Sequence, residues 1–162
     1  MKQWKKVFSK AQPLAQMTEI EMKELWEQAR LTNGVIVEIG TYLGGSAVIL
    51  ESGGAKVHTI DIQPCEEIKG TSFVKIIGES LIIARTWMEP IDLLFIDGDH
   101  HYESIKEDLK AWMPHVKLKG KIIFHDYDSH VGVTLAVHRA IEDKFIEPIK
   151  KAGSLLVTIR NN

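Results

Sequence analysis

Cysteine is nearly missing from this chain: Cys65 stands alone. A single thiol excludes an internal disulfide framework and fits a reducing compartment. Long apolar runs are missing too. No stretch approaches the length of a membrane span, and the N-terminus lacks an apolar signal segment. A cytoplasmic chain with no membrane partner is expected. Nor is there a surplus of one charge. The 20 basic and 22 acidic residues give a formal charge of −2. That near balance argues against a nucleic-acid module, which would show a basic stripe. Lys2, Lys5, Lys6 and Lys10 read instead as a solvated helix face. No repeat, low-complexity tract or linker divides the sequence.

What remains is an apolar, patterned chain. With 162 residues and 44% hydrophobic content, one domain with a proper core is expected. It divides into a helical segment over 1–33 and an α/β core over 34–162. Thr18-Glu19-Ile20-Glu21 is a capping-box signature. It opens a helix whose Met22, Leu25, Trp26 and Ala29 recur at helical spacing, and Asn33-Gly34 ends it. Strands are expected at Val35–Ile39, Lys56–Ile60, Phe73–Ile77 and Ile91–Ile96, and over Lys121–Phe124 after a turn at Lys119-Gly120. Helices alternate with them: Ser46–Glu51, Glu79–Met88, a segment from Tyr102 to Pro114, and Gly132–Phe145. A hairpin turning at Lys151–Ser154 pairs Phe145–Ile149 with Leu155–Arg160. The sum is a Rossmann-like, doubly wound, mostly parallel seven-stranded sheet. A C-terminal antiparallel hairpin closes it, with helices on both faces. Trp4, Trp26, Trp87 and Trp112 read as packing residues, and Cys65 as a bystander.

Two features carry chemistry. The first is Val37-Glu38-Ile39-Gly40-Thr41-Tyr42-Leu43-Gly44-Gly45-Ser46, a strand, a glycine turn and a helix start. Gly40 permits a tight turn, and Gly44 and Gly45 close packing of helix on sheet. Asp61 follows about 20 residues after the turn, at the end of the second strand, a spacing that suits a ribose diol. The second feature is an acid and histidine cluster split over two apolar strands. Ile91–Ile96 runs into Asp97-Gly98-Asp99-His100-His101, and Lys121–Phe124 into His125-Asp126-Tyr127. Ligands of open α/β sheets bind beyond the carboxyl ends of the strands. Two such ends aim oxygen and nitrogen donors at one point, as divalent metal binding or acid/base chemistry requires. Tyr127 and His130 would line the same cleft.

These residues resemble a class I S-adenosylmethionine-dependent methyltransferase. EIGTYLGGS is similar to the glycine motif of catechol-type O-methyltransferases. IDGDHHYES with LKGKIIFHDY is similar to the metal-dependent sugar and macrolide O-methyltransferases and the cephalosporin-hydroxylase-like group. The resemblance implies that Glu38 and Gly40 lie by the methionine end of the cofactor and Asp61 by its ribose. Gly78, Glu79 and Ser80 would flank adenine. Thr41, Tyr42, Ser46, Ile62 and Asp97 complete the implied cofactor site. Asp97, His125 and Asp126 match the metal-ligand positions, where His125 stands in place of the usual acid. Asp99 matches the general-base position, and His100 and His101 are alternative bases or ligands. Oxygen ligands suit Mg²⁺, while the imidazole shifts the preference toward Mn²⁺, Fe²⁺ or Zn²⁺. The implied reaction is O-methylation of a small hydroxylated acceptor. Two other readings stand beside it: a metal-dependent phosphohydrolase, and a non-catalytic nucleoside-binding or degenerate methyltransferase domain. The pattern also leaves room for a homo-oligomer that completes the acceptor site.

Overall fold

The computed structural model describes residues 2–161. Two helices come first, α1 (Lys2–Ala11) and α2 (Glu19–Arg30). There follow β1 (Val35–Ile39), α3 (Gly45–Glu51), β2 (Lys56–Asp61), β3 (Val74–Ile77), α4 (Ser80–Ala84), β4 (Ile91–Ile96) and α5 (Tyr102–Trp112). The chain ends with β5 (Val116–Phe124), α6 (Val131–Glu142), β6 (Ile146–Ala152) and β7 (Leu155–Arg160). One sheet of order β3-β2-β1-β4-β5-β7-β6 results. β1 to β5 pair in parallel, while β7 lies antiparallel to β5 and β6. This is the doubly wound, Rossmann-like architecture expected, with its C-terminal hairpin. No helix among the described residues is long and apolar enough to cross a membrane.

Alternation along the buried strands builds two cores. Ile36, Leu93, Phe95, Ile123 and Val157 face α1, α2 and α3 together with Trp4, Met22, Leu25 and Trp26. Val37, Ile39, Leu94, Ile96, Ile122 and Phe124 face the other way, onto Ala84, Ile105, Leu109, Trp112, Val133 and Val137. The central strands are buried on both sides and therefore read as continuous apolar runs. The capping box forms as expected: the Thr18 hydroxyl accepts the Glu21 amide, and Glu21 accepts the Thr18 amide at 2.7 Å.

Four local expectations are corrected. Helix α4 stops at Ala84 rather than Met88. The Thr86 hydroxyl donates to the Ile83 carbonyl at 3.2 Å, and the Trp87 indole turns back to the Glu89 carbonyl at 2.6 Å. Such local bonds compete with a further helical turn. Lys119-Gly120 is no turn between elements but an irregularity inside β5. Lys119 takes φ 61°, and the register against β4 shifts between Ile91 and Leu93. The hairpin turn is shorter than expected, only Gly153-Ser154, since Ala152 still pairs with Leu155. Finally, Gly45 does not serve helix-on-sheet packing. A Cβ there would lie 2.4 Å from the Ala15 amide nitrogen, so the glycine admits the α1–α2 loop instead. That loop is thereby laid over the carboxyl ends of the strands.

Candidate active site

The carboxyl ends of β1, β2, β4 and β5 open into one cavity of about 690 Å³. Gly40 makes the crevice between β1 and β4. Its φ is 95°, and a Cβ would sit 2.2 Å from the Asp97 carbonyl oxygen. No other residue fits there without displacing one strand end. Tyr42 then adopts φ 47°, unusual for a side chain with a Cβ. Asp61 holds this turn: its Oδ2 accepts the Thr41 amide at 2.8 Å and the Tyr42 amide at 3.0 Å, and its Oδ1 the Gln63 amide at 2.9 Å. Thr41, Tyr42, Ser46, Asp61, Ile62, Gly78, Ser80 and Asp97 all line the cavity.

Two expected cofactor residues lie elsewhere. Glu79 is exposed at the start of α4 and is not in the cavity wall. Glu38 is 0% exposed and sits behind the wall, on the face that β1 presents to α3. Burial pushes its carboxyl up to about 8, against the pull of the Ser46 and Thr59 hydroxyls. Neither hydroxyl reaches full hydrogen-bond geometry, so both carboxyl oxygens stay unsatisfied. At neutral pH this group is largely protonated.

On the other side of the crevice the charged groups gather. His125 Nδ1 lies 3.0 Å from Asp97 Oδ1 and 3.3 Å from Asp126 Oδ2, while its Nε2 lies 3.6 Å from Glu21 Oε2. Burial opposes charge on this ring, yet Asp97, Asp126 and Glu21 together raise it to about 9. Burial likewise lifts Asp97, and its bond to the imidazolium pulls it back. Asp126 adopts φ 57°, a costly conformation for a non-glycine residue. That turn swings its carboxylate toward the cavity. His100 Nε2 meets Asp126 Oδ2 at 2.9 Å. Asp99 is occupied differently. It accepts from the Ser104 hydroxyl and pairs with His101 Nδ1, each at 2.6 Å, and these bonds hold its carboxyl down to about 2.

The donor atoms of Asp97, His125 and Asp126 lie within 4.8 Å of one another. Two carboxylates and one imidazole fit a borderline divalent ion better than Mg²⁺, and binding must first displace the proton from His125.

A family model described as a methyltransferase domain matches residues 37–127, more than half of the chain. The chain belongs to that methyltransferase family. The matched span holds Glu38, Gly40, Asp61, Asp97, His125 and Asp126. Among solved methyltransferases, the chain is similar to MycE of the mycinamycin biosynthetic pathway, crystallised with Mg, SAH and mycinamycin VI. The TM-score is 0.74 at 16% identity, covering 99% of this chain and 55% of that one. An O-methyltransferase from Bacillus cereus in complex with SAH gives 0.70 at 14% identity, covering 99% and 91%. At such identities the likeness is one of fold. An uncharacterized protein, R132, of Acanthamoeba polyphaga mimivirus is 31% identical, covering 66% of this chain and 59% of that protein. The chain thus spans less than two thirds of both MycE and the viral relative.

The cavity contains residues that sequence reasoning missed. Asp108 on α5 is buried in the cavity wall, raised by that burial, and bonded to the Ser80 hydroxyl. Its signal was available: it falls three residues after Ile105 and four before Trp112, on the apolar face of α5. Leu14, Ala15, Gln16 and Met17 also line the cavity. Glu21, beyond closing the capping box, accepts the Ser154 amide and hydroxyl at 2.7 Å each. Those bonds, against the burial, hold it to about 2.

Proposed function

We propose that this chain catalyses S-adenosylmethionine-dependent O-methylation of a small hydroxylated molecule, assisted by a divalent cation. One observation carries the reading: the glycine turn with Asp61 and the Asp97–His125–Asp126 cluster share one cavity. A methyl donor and an acceptor hydroxyl must meet in line for displacement at carbon, and fixed alignment removes much of the barrier. The MycE complex, with Mg, SAH and mycinamycin VI bound together, supports this assignment of the two halves.

Asp61 serves the nucleoside side. A carboxylate offers about four acceptor directions, and backbone amides fill three of them at Asp61. Capacity remains for a ribose hydroxyl. Gly40 and Asp97 shape the crevice, and Leu14, Ala15 and Met17 give it an apolar wall that limits water. On the acceptor side, Asp97, His125 and Asp126 would hold the cation, which when bound lowers the pKa of a coordinated hydroxyl and orients it. His100 takes the proton. Its ring lines the cavity, and the Asp126 carboxylate, 2.9 Å from Nε2, offsets the positive charge that the proton brings. Asp99 is a poor base, since a carboxyl held at about 2 has little affinity for a proton at neutral pH.

The test is calorimetric titration of S-adenosylmethionine and SAH, with Mg²⁺, Mn²⁺ or a chelator present, followed by an acceptor screen with hydroxylated sugars and phenols. Micromolar binding and metal-dependent methylated product are expected. No binding of either nucleoside overturns the reading, and release of phosphate from generic esters would then establish the hydrolase alternative.

A further inference from the structure

The geometry points to a second cation site, formed by His100, His130 and Asp126, that takes a transition-metal ion, shares Asp126 with the first cluster and, when filled, occupies His100 and so removes the proposed proton acceptor. Three elements meet there. His100 follows β4, Asp126 follows β5, and His130 caps the start of α6 with no side-chain bond to the helix. His100 Nε2 lies 2.9 Å from Asp126 Oδ2, and His130 Nδ1 lies 3.5 Å from Asp126 Oδ1. The two imidazoles stack with centroids 4.2 Å apart and planes 19° from parallel. All three donor atoms lie within 4.8 Å of one another.

The backbone is built to bring them together. A Cβ at Gly132 would sit 2.2 Å from the His100 carbonyl oxygen and 2.7 Å from the Tyr102 amide nitrogen. Glycine there lets the start of α6 press against the His100 loop. The left-handed turn at Asp126 closes on the Ser129 and His130 amides, which donate to its carbonyl at 3.2 and 3.0 Å. Among the described residues, the ion-pair partners of Asp126 are all imidazoles: His100, His125 and His130. Two nitrogens and one carboxylate suit Co²⁺, Ni²⁺ or Zn²⁺ and not a hard ion such as Mg²⁺. His100 Nε2 is buried and lacks a hydrogen-bond partner among the described residues, although its ring is 40% exposed, and His130 is 48% exposed on the rim. His130 and Gly132 lie beyond the matched methyltransferase span, which ends at residue 127.

This site needs no methyl donor, so its test is separate from that of methyl transfer. The chelator-stripped full chain is titrated with Co²⁺ alone, followed by visible absorption and calorimetry. Two equivalents are expected for the native chain. His130→Ala, on the exposed rim, loses one of them with its share of the d–d absorption. Asp97→Asn loses the other and keeps the His130-dependent spectrum. Excess Mg²⁺ leaves the His130-dependent cobalt in place. Unchanged stoichiometry and spectrum in a folded His130→Ala chain, or displacement of that cobalt by Mg²⁺, would overturn the site.

Discussion

The two halves of the cavity are stabilised in opposite ways. On the proposed nucleoside side, at β1 and β2, the donors are backbone amides and the acceptor is Asp61. Asp61, at the end of β2, ties the β1 turn and its own following residues together. On the proposed acceptor side, at β4 and β5, Asp97 and Asp126 converge on one point, and imidazoles offset their mutual repulsion. The first half is a preformed shape. The second is a balance of charge that a proton or a cation can occupy. Substitutions on the first side should therefore weaken binding, and those on the second should stop chemistry.

The largest effect tests that division. Asp126→Ala removes a carboxylate shared by His100, His125 and His130. Metal-dependent turnover should fall by about 10²-fold or more, the usual scale for losing acid–base machinery. Affinity for SAH should change little. Equal losses in turnover and SAH affinity would erase the distinction between the halves. Conversely, Asp61→Asn should weaken SAH binding by about 10-fold to 100-fold, the worth of a charged hydrogen bond. Calorimetric Mn²⁺ binding should be retained. A loss of Mn²⁺ binding in Asp61→Asn would show the two sides to be one cooperative unit.

Glu38 lies behind both halves and sharpens the comparison through pH. Its ordinary value of 4.5 is raised to about 8 by burial. An unfolded chain releases this proton near 4.5, whereas the folded chain keeps it until about 8. Stability therefore falls as pH rises through that window and levels off above it. The shift corresponds to a cost on the order of 5 kcal/mol at alkaline pH. Glu38→Gln, neutral at every pH, should be stabilising in urea unfolding at pH 9 and nearly silent at pH 5. Equal effects at both pH values would mean that the carboxyl ionises normally. Glu21 works the other way. Held to about 2, it contributes stability above its ordinary 4.5 that is lost as pH falls toward 2.

The strands were legible because β1 and β4 are buried on both faces and leave unbroken apolar runs. β5 was legible only in its second half. Its first half runs Lys117-Leu118-Lys119 in solvent, and the irregularity at Gly120 has the composition of a turn. The site was legible where donors end or directly follow a strand, as Asp61, Asp97, His125 and Asp126 do. It was not legible where position depends on distant chain. The α1–α2 loop reaches the cavity because Gly45 has no Cβ, and His130 reaches His100 because Gly132 has none. Close approach of this kind leaves only a glycine in the sequence, and a glycine does not name its partner.

The smallest expected effect decides between two candidate bases that are neighbours in sequence. Asp99 matches the general-base position of the resembling sugar enzymes, but its carboxylate is spent on Ser104 and His101 at the start of α5. His100 lines the cavity against Asp126. Asp99→Asn keeps an oxygen acceptor for Ser104, so about 1 kcal/mol or less of hydrogen-bond stability is at stake. Turnover should stay within about threefold, well short of the 10²-fold or greater loss typical when a general base is removed. His100→Gln should show that larger loss with SAH affinity kept. Measuring kcat for both variants under Mg²⁺ saturation, which leaves the His100–His130 site empty, settles the assignment. A collapse in Asp99→Asn with His100→Gln still active would move the proton acceptor one residue back and place the α5 start inside the chemistry.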